Sequence, residues 1–281
     1  RDYCVSRGLG DVYKRQGSKR WIDLFFLPRF QPIEVLKPFL IIILATILCD
    51  IKSNILFKYL ISIILISIIS LLLIAQPDIG QTLLVVFCWA ALIFTSGINI
   101  YILLAIFIAG ASLLAYLIIF VPKFDYIQGR IFSFFNRETG THNFQSDKAI
   151  ESITSGGFFG KGIGEGVLKN RVPEAHTDYI ISVISEEFGV VAIMLILLLF
   201  LILIYMVFKK ISFETNDKAK LILIGSISLI LMQATIHVGV NIRLFPTTGM
   251  TLPFLSYGGS SIISTSILAG IILNLTKRKI T

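Results

Sequence analysis

The chain has 281 residues, of which 55% are hydrophobic and 15% charged, where soluble domains carry about 25% charged residues. With a mean hydropathy of +0.85, this composition excludes an ordinary soluble enzyme. The net charge of +8 does not point to a nucleic-acid partner, because the basic residues sit in short loops beside apolar runs and no basic face is interleaved with exposed aromatics.

The first 16 residues, RDYCVSRGLGDVYKRQ, are polar and share no pattern with the rest of the chain. They are read as a non-native or disordered leader and set apart from a membrane domain expected over residues 17–281. Cys4, Cys49 and Cys88 are too widely spaced for a CxxC pair, so neither a disulfide nor a metal site is inferred.

Beyond the leader, charge disappears in long stretches. From Tyr59 to Pro122 the only formal charge is Asp78, and Phe188 to Phe208 carries none. A hydrocarbon core about 30 Å thick needs roughly 20 apolar residues per helix. The pattern predicts an all-α, polytopic membrane protein with seven crossings at about 35–49, 57–76, 79–96, 98–121, 186–208, 220–242 and 260–275. The first is the shortest, with QPIEVLK as an amphipathic opening turn. Lys52 and Lys58, then Lys209, Lys210, Lys218 and Lys220, and finally Lys277, Arg278 and Lys279 fall on one side of such a bundle, which the positive-inside rule makes cytoplasmic. Residues 122–178 then form a large outer loop, and Gln76 to Asp78 and Arg243 to Gly259 face outward with it. A loop of that length without structure of its own is unusual, so it is expected to fold against the membrane mouth.

Several outer residues can carry chemistry. Glu174 and Asp178 are four apart and share a face if helical. A carboxylate at a membrane mouth can serve as a base, or the same residues can form a solvated loop ending in an Asp or Thr cap. Glu186 and Glu187 suit a helix entry. The glycines of GGFFGKGIGEG invite a phosphate-loop reading, but Ser155 and Gly162 break the Walker pattern, leaving a tight turn on the membrane surface or a backbone cradle for a diphosphate. PTTGMTLPFLSYGGSS reads as a re-entrant connector, with Ser260 capping the last helix, or as a substrate lining. Glu34 and Lys37 can pair at the interface or serve function, Asp78 opens a helix, and His142 and His237 are isolated.

Taken together, SKRWID with QPIEVLK, AQPDIGQT, SGGFFGKGIGEG, PEAHTDYIISVISEEFG and FPTTGMTLPFLSYGGSS resemble, in order and spacing, the SEDS family of FtsW/RodA-type proteins, and its division branch more than its elongation branch. The resemblance implies a ten-helix fold of which this chain holds the last seven. It implies a peptidoglycan glycosyltransferase that polymerises lipid II into β-1,4 strands and releases undecaprenyl pyrophosphate by inversion, outside the bacterial cytoplasmic membrane. The family's HTD aspartate corresponds to Asp178, the catalytic candidate. Glu34, Lys37, Arg20, Glu174, His176, Ser256, Tyr257 and Gly258 match substrate-binding positions, with Lys37 and Arg20 offsetting leaving-group charge and Glu34 orienting Lys37. A divalent cation, magnesium or manganese, is the one cofactor the resemblance leaves open. The implied partners are lipid II, membrane lipid, an FtsI-like class B penicillin-binding protein and other divisome proteins. Ile33, His237 and Thr248 depart from the family pattern. A lipid II flippase or a scaffold for the penicillin-binding protein are the competing functions.

Overall fold

The computed structural model describes Ile22 and residues 30–50, 54–135, 141–167, 172 and 174–277. The leader at 1–16, Arg20, and the side chain of His142 lie outside the described residues.

Among the described residues the fold is all-α, apart from one isolated antiparallel bridge between Ile22 and Phe30. Nine α-helices run through these residues in order. They are α1 (Pro32–Leu48), α2 (Ile55–Ala75), α3 (Ile79–Thr95), α4 (Ile100–Phe120), α5 (Asp125–Phe135), α6 (Thr141–Gly156), α7 (Ile180–Phe213), α8 (Asp217–Asn241) and α9 (Gly259–Thr276). Five of them, α2, α4, α7, α8 and α9, are long and apolar enough to cross a membrane. α1 and α3, at 17 residues each, sit at the lower limit of about 17 for a crossing. The protein is therefore a multi-pass membrane protein, and its helices coincide with the seven expected crossings to within a few residues, except that α7 starts earlier.

Local chemistry fixes the helix starts. Asp78 caps α3 by accepting from the Gln81 amide (3.2 Å), Asn99 caps α4 through Tyr101 N–H, and Asn216 caps α8 through Lys218 and Ala219, each satisfying amides that have no partner within the helix. Pro32 occupies the first turn of α1, where a missing N–H costs nothing.

The core centres on α8. Over half (56%) of its apolar span is buried, against 11% or less in α2, α4 and α7, so those three face lipid. α8 packs against α1, α3, α7 and α9. Small residues let the helices close up: a Cβ at Gly225 would stand 2.7 Å from Ile41 Cγ2 and 3.1 Å from Leu92 Cδ2. Such close approach is how membrane helices gain packing energy where lipid is as apolar as the helix surface. Trp89 Nε1 donates to Ser62 Oγ (3.4 Å), tying α3 to α2.

One end of the bundle gathers the basic loops: Cys49, after α1, lies in the field of Lys58, Asp217 and Lys218. The opposite end gathers the start of α1, the α2–α3 turn and the α8–α9 connector. There Gln31 Nε2 donates to Asp78 Oδ2 (3.2 Å), and a Cβ at Gly80 would stand 2.8 Å from Thr248 Cβ. The 122–178 segment is not a bare loop. It holds a 3-10 turn at Pro122–Phe124, α5 and α6, and α6 packs on α7 and reaches the end of α8 through an Asp147–Arg243 ion pair.

Candidate active site

Residues 174–179 form a single tight turn just before α7, in which the amides of Thr177 and Asp178 both donate to the Glu174 carbonyl (3.1 and 3.0 Å). Glu174 pays for that turn with a left-handed backbone (φ 56°), uncommon for a residue with a side chain. Tyr179, 2% exposed, plugs the core immediately behind it. Asp178 is half-buried at this point, and its carbonyl accepts from Asn241 Nδ2 at the end of α8 (3.1 Å).

Facing the turn is the α8–α9 connector, which has no regular structure from 246 to 252. Irregular backbone survives at membrane depth only where protein satisfies its polar groups, and here α8 supplies the partners. His237 Nδ1 donates to the Met250 carbonyl (2.7 Å), and Gln233 Nε2 donates to the carbonyl and hydroxyl of Thr251 (3.0 and 3.2 Å). Thr251 Oγ1 shares a hydrogen with Ser261 Oγ (2.7 Å). The connector also grips the Asp178 turn: Ser256 Oγ accepts from Leu252 N–H (2.8 Å) and donates to the Thr177 carbonyl (2.7 Å), and Tyr257 N–H donates to the His176 carbonyl (3.0 Å). Gly249, with φ 68°, lies against the carboxylate, since a Cβ there would be 3.4 Å from Asp178 Oδ2.

Beneath the connector lies a buried ion pair. Lys37 Nζ and Glu34 Oε2 are 2.8 Å apart on α1, with side chains 0% and 4% exposed. Lys37 also donates to Gln233 Oε1 (3.2 Å), and Gln81 Nε2 donates to Glu34 Oε1 (2.6 Å). Two buried charges persist in such surroundings only when paired and hydrogen-bonded. The resulting network joins α1, α3, α8 and the connector, and through Gln233 and Thr251 it continues to the strand of chain that borders Asp178.

The geometry thus brings Asp178, His176, Ser256, Tyr257 and Gly258 to one mouth, with Glu34 and Lys37 below it. The side chains do not all point to solvent there. Ser256 is 3% exposed and its hydroxyl is committed on both sides, so it holds the turn in place. Gly258 caps α9, where a Cβ would meet Thr251 Cγ2 at 3.3 Å. Tyr257 is 80% exposed, and Glu174 and His176 are exposed, with Glu174 Oε2 accepting from Thr177 Oγ1 (3.1 Å).

The expected Glu34–Lys37 pair forms, and it is buried in protein. Two simpler readings of individual residues give way. Neither Asp178 nor Thr177 caps α7, whose cap is Tyr179 without a side-chain bond, and Ser260 yields the α9 cap to Gly258. Gln81, Gln233, His237 and Asn241 do not stand out as site residues in the sequence. Yet 233, 237 and 241 recur every four residues, one stripe of α8, and polar groups striping an apolar span are a legible signal. Among the described residues, His237 Nε2, Asn241 Oδ1 and Thr248 Oγ1 are buried without a hydrogen-bond partner, donor and acceptor capacity concentrated around the connector.

The glycine cluster does not form a phosphate loop. α7 breaks at Gly189 (φ 78°, ψ −178°), a conformation open essentially to glycine alone. The break frees backbone groups that the glycine turn takes up: Lys161 and Gly162 amides donate to the Glu186 and Glu187 carbonyls (2.9 and 3.1 Å), while Val190 and Val191 amides donate to the Gly157 and Phe158 carbonyls (3.0 and 3.3 Å). Glu186, fully buried inside α7 rather than at its entry, accepts from Ser152 Oγ (3.0 Å) and pairs with Lys161 (3.6 Å). No three His, Cys, Asp or Glu residues gather as a metal-binding group among the described residues.

The family model described as Cell cycle protein, FTSW_RODA_SPOVE, matches residues 9–280. The chain is 32% identical over 277 residues to the probable peptidoglycan glycosyltransferase FtsW of Enterococcus hirae, covering 94% of this chain and 69% of that one. It is 34% identical over 270 residues to the protein of the same description from Caulobacter vibrioides, covering 95% and 67%. Among solved structures, a chain from work on structural coordination of polymerization and crosslinking by a peptidoglycan synthase complex aligns with a TM-score of 0.73 at 27% identity, over 93% of this chain and 74% of that one. The rod shape determining protein RodA of Thermus thermophilus aligns at 0.62 and 29% identity, over 93% and 69%. With a match over almost its whole length and a like arrangement of membrane helices, the chain belongs to the FtsW/RodA/SpoVE family.

Proposed function

We propose that this chain is a peptidoglycan glycosyltransferase that polymerises lipid II into β-1,4 glycan strands outside the bacterial cytoplasmic membrane, in septal wall synthesis. The relatives called FtsW are described as probable peptidoglycan glycosyltransferases. The observation that carries the reading furthest is the half-buried Asp178, whose turn is held at the end of the bundle opposite the basic loops by bonds from α8 and the α8–α9 connector to the Asp178 and Thr177 carbonyls. Its place suits a substrate whose sugar is in water and whose polyprenyl tail stays in lipid.

In this reaction Asp178 accepts the proton of the acceptor C4 hydroxyl. The freed oxygen attacks the anomeric carbon of the donor, the bond from that carbon to the diphosphate oxygen breaks, and undecaprenyl pyrophosphate leaves with the bonding electrons. In-line displacement turns an α-linked donor into a β-linked product. General-base help of this kind contributes about 10²–10⁴-fold. Glu174, His176 and Tyr257, exposed around Asp178, are assigned to sugar contacts. Ser256 and Gly258 position the turn. Lys37 is enclosed and paired, so with Glu34 it serves as a positioning residue through Gln233. Arg20, outside the described residues, is the group proposed to offset the diphosphate charge. An FtsI-like class B penicillin-binding protein is the proposed partner, in keeping with the synthase complex among the structural relatives.

The test is lipid II polymerisation by the full-length protein with its cognate partner, comparing wild type with Asp178→Asn. Polymer from wild type alone supports the assignment. Equal polymer from both removes Asp178 as the base, and polymer from neither, under conditions that activate a relative, favours a flippase or scaffold.

A further inference from the structure

The tip of the glycine turn is unusual for an extramembrane segment. Phe158, Phe159 and Ile163 are 75%, 86% and 79% exposed, although the backbone beneath them is firmly held. Large exposed apolar groups on an immobile scaffold mark a surface that meets something apolar. The place where the turn is fastened identifies that apolar surface. Its carbonyls at Gly157 and Phe158 accept from Val190 and Val191, the first residues beyond the Gly189 break, and a Cβ at Gly160 would lie 2.2 Å from the Glu187 carbonyl oxygen. The tip therefore cannot move independently of α7.

The depth of that attachment can be measured along α7. Lys209 and Lys210 end its uncharged run on the basic side. The 19 residues from Val190 to Phe208 rise about 1.5 Å each, some 28 Å in all, which is nearly the hydrocarbon thickness of about 30 Å. Val190 thus stands at the outer edge of the hydrocarbon, and Phe158 and Phe159 stand beside it. The lipid-facing stripe of α7, with Val191, Met194 and Leu198 at least half exposed, runs directly up to the tip.

We propose that the tip of the glycine turn is a membrane wedge, placing Phe158, Phe159 and Ile163 in the outer leaflet at the headgroup–acyl boundary beside α7. Apolar side chains seated some 5–10 Å into that boundary are the ordinary means by which a surface segment binds a bilayer. The wedge fixes the height of the outer loop, and of α6 packed on α7, relative to the lipid.

The test places a nitroxide at Phe159→Cys, and separately at Ile163→Cys, in the full-length protein with its native cysteines replaced, reconstituted in phosphatidylethanolamine–phosphatidylglycerol vesicles. Power saturation compares accessibility to oxygen, which concentrates in lipid, with accessibility to a nickel chelate, which stays in water. Leu198→Cys on α7 and Lys218→Cys in the basic loop give the lipid and water references. Both tip labels are expected to shift to the oxygen-accessible side, with Leu198→Cys. The proposal is overturned if either label reads as aqueous like Lys218→Cys, or if it is shielded from both reagents, which would mean that protein rather than lipid covers the tip.

Discussion

Asp178 reaches its position through groups that are remote in sequence: Asn241 holds its carbonyl, Ser256 and Tyr257 hold the two residues before it, and Gly249 leaves room beside its carboxylate. Asp178→Asn is nearly isosteric and is expected to lower polymerisation at least about a hundredfold, with an unchanged melting temperature in detergent. Gly249→Ala is a different kind of lesion. Its left-handed φ of 68° costs a side-chain-bearing residue about 1–2 kcal/mol, and the strain sits against the carboxylate. Turnover should fall more than stability, as seen by comparing polymerisation rate with thermal melting. At Lys37, replacement by Met leaves Glu34 charged and enclosed, and removing one partner of a buried pair costs about 3–5 kcal/mol. The double variant Glu34→Gln/Lys37→Met should recover most of that loss, and a melting series of the two singles and the double measures the coupling.

The element with the largest local demands is α7. Gly189 permits a break that its neighbours then repair by pairing with residues 157–162. Alanine at 189 brings both a forbidden backbone conformation and a Cβ 2.2 Å from the Phe158 carbonyl oxygen. The glycine turn should come loose while the membrane-spanning part of α7 persists, so Gly189→Ala is expected to become sensitive to limited proteolysis within residues 157–167 without losing its helical circular dichroism. α8 is the other decisive element. Gln233 and His237 in its polar stripe supply the hydrogen bonds that allow the connector to remain irregular inside the membrane boundary, where each unsatisfied backbone group would cost several kcal/mol, and Asn241 in the same stripe holds the Asp178 turn.

At the scale of the molecule, the alternation of helix ends puts the basic loops on one side and the Asp178 mouth on the other. Single cysteines at Lys218 and Glu174 should therefore label from opposite sides with a membrane-impermeant maleimide. In inside-out vesicles, Lys218→Cys is expected to react and Glu174→Cys to react only after detergent. The reverse result would invert the topology and place the mouth in the cytoplasm.

The sequence by itself determined the membrane class, the seven crossings to within a few residues apart from the start of α7, and the order of the motifs, because the absence of charge over some 20 residues leaves a chain in lipid no alternative to a helix that satisfies its own backbone. Asp78 as a helix opener and the glycine cluster as a tight turn were legible for the same reason, being local matters of capping and backbone freedom. Only the tertiary structure decided that Glu34 and Lys37 are a buried pair, that Ser256 fastens the Asp178 turn to the connector, and that Glu186 lies enclosed beneath the glycine turn. Beyond the Glu34–Lys37 contact itself, those outcomes rest on partners as much as 196 residues away in the chain. A side chain's own neighbours in sequence carry no record of which distant donor or acceptor will meet it once the helices have packed.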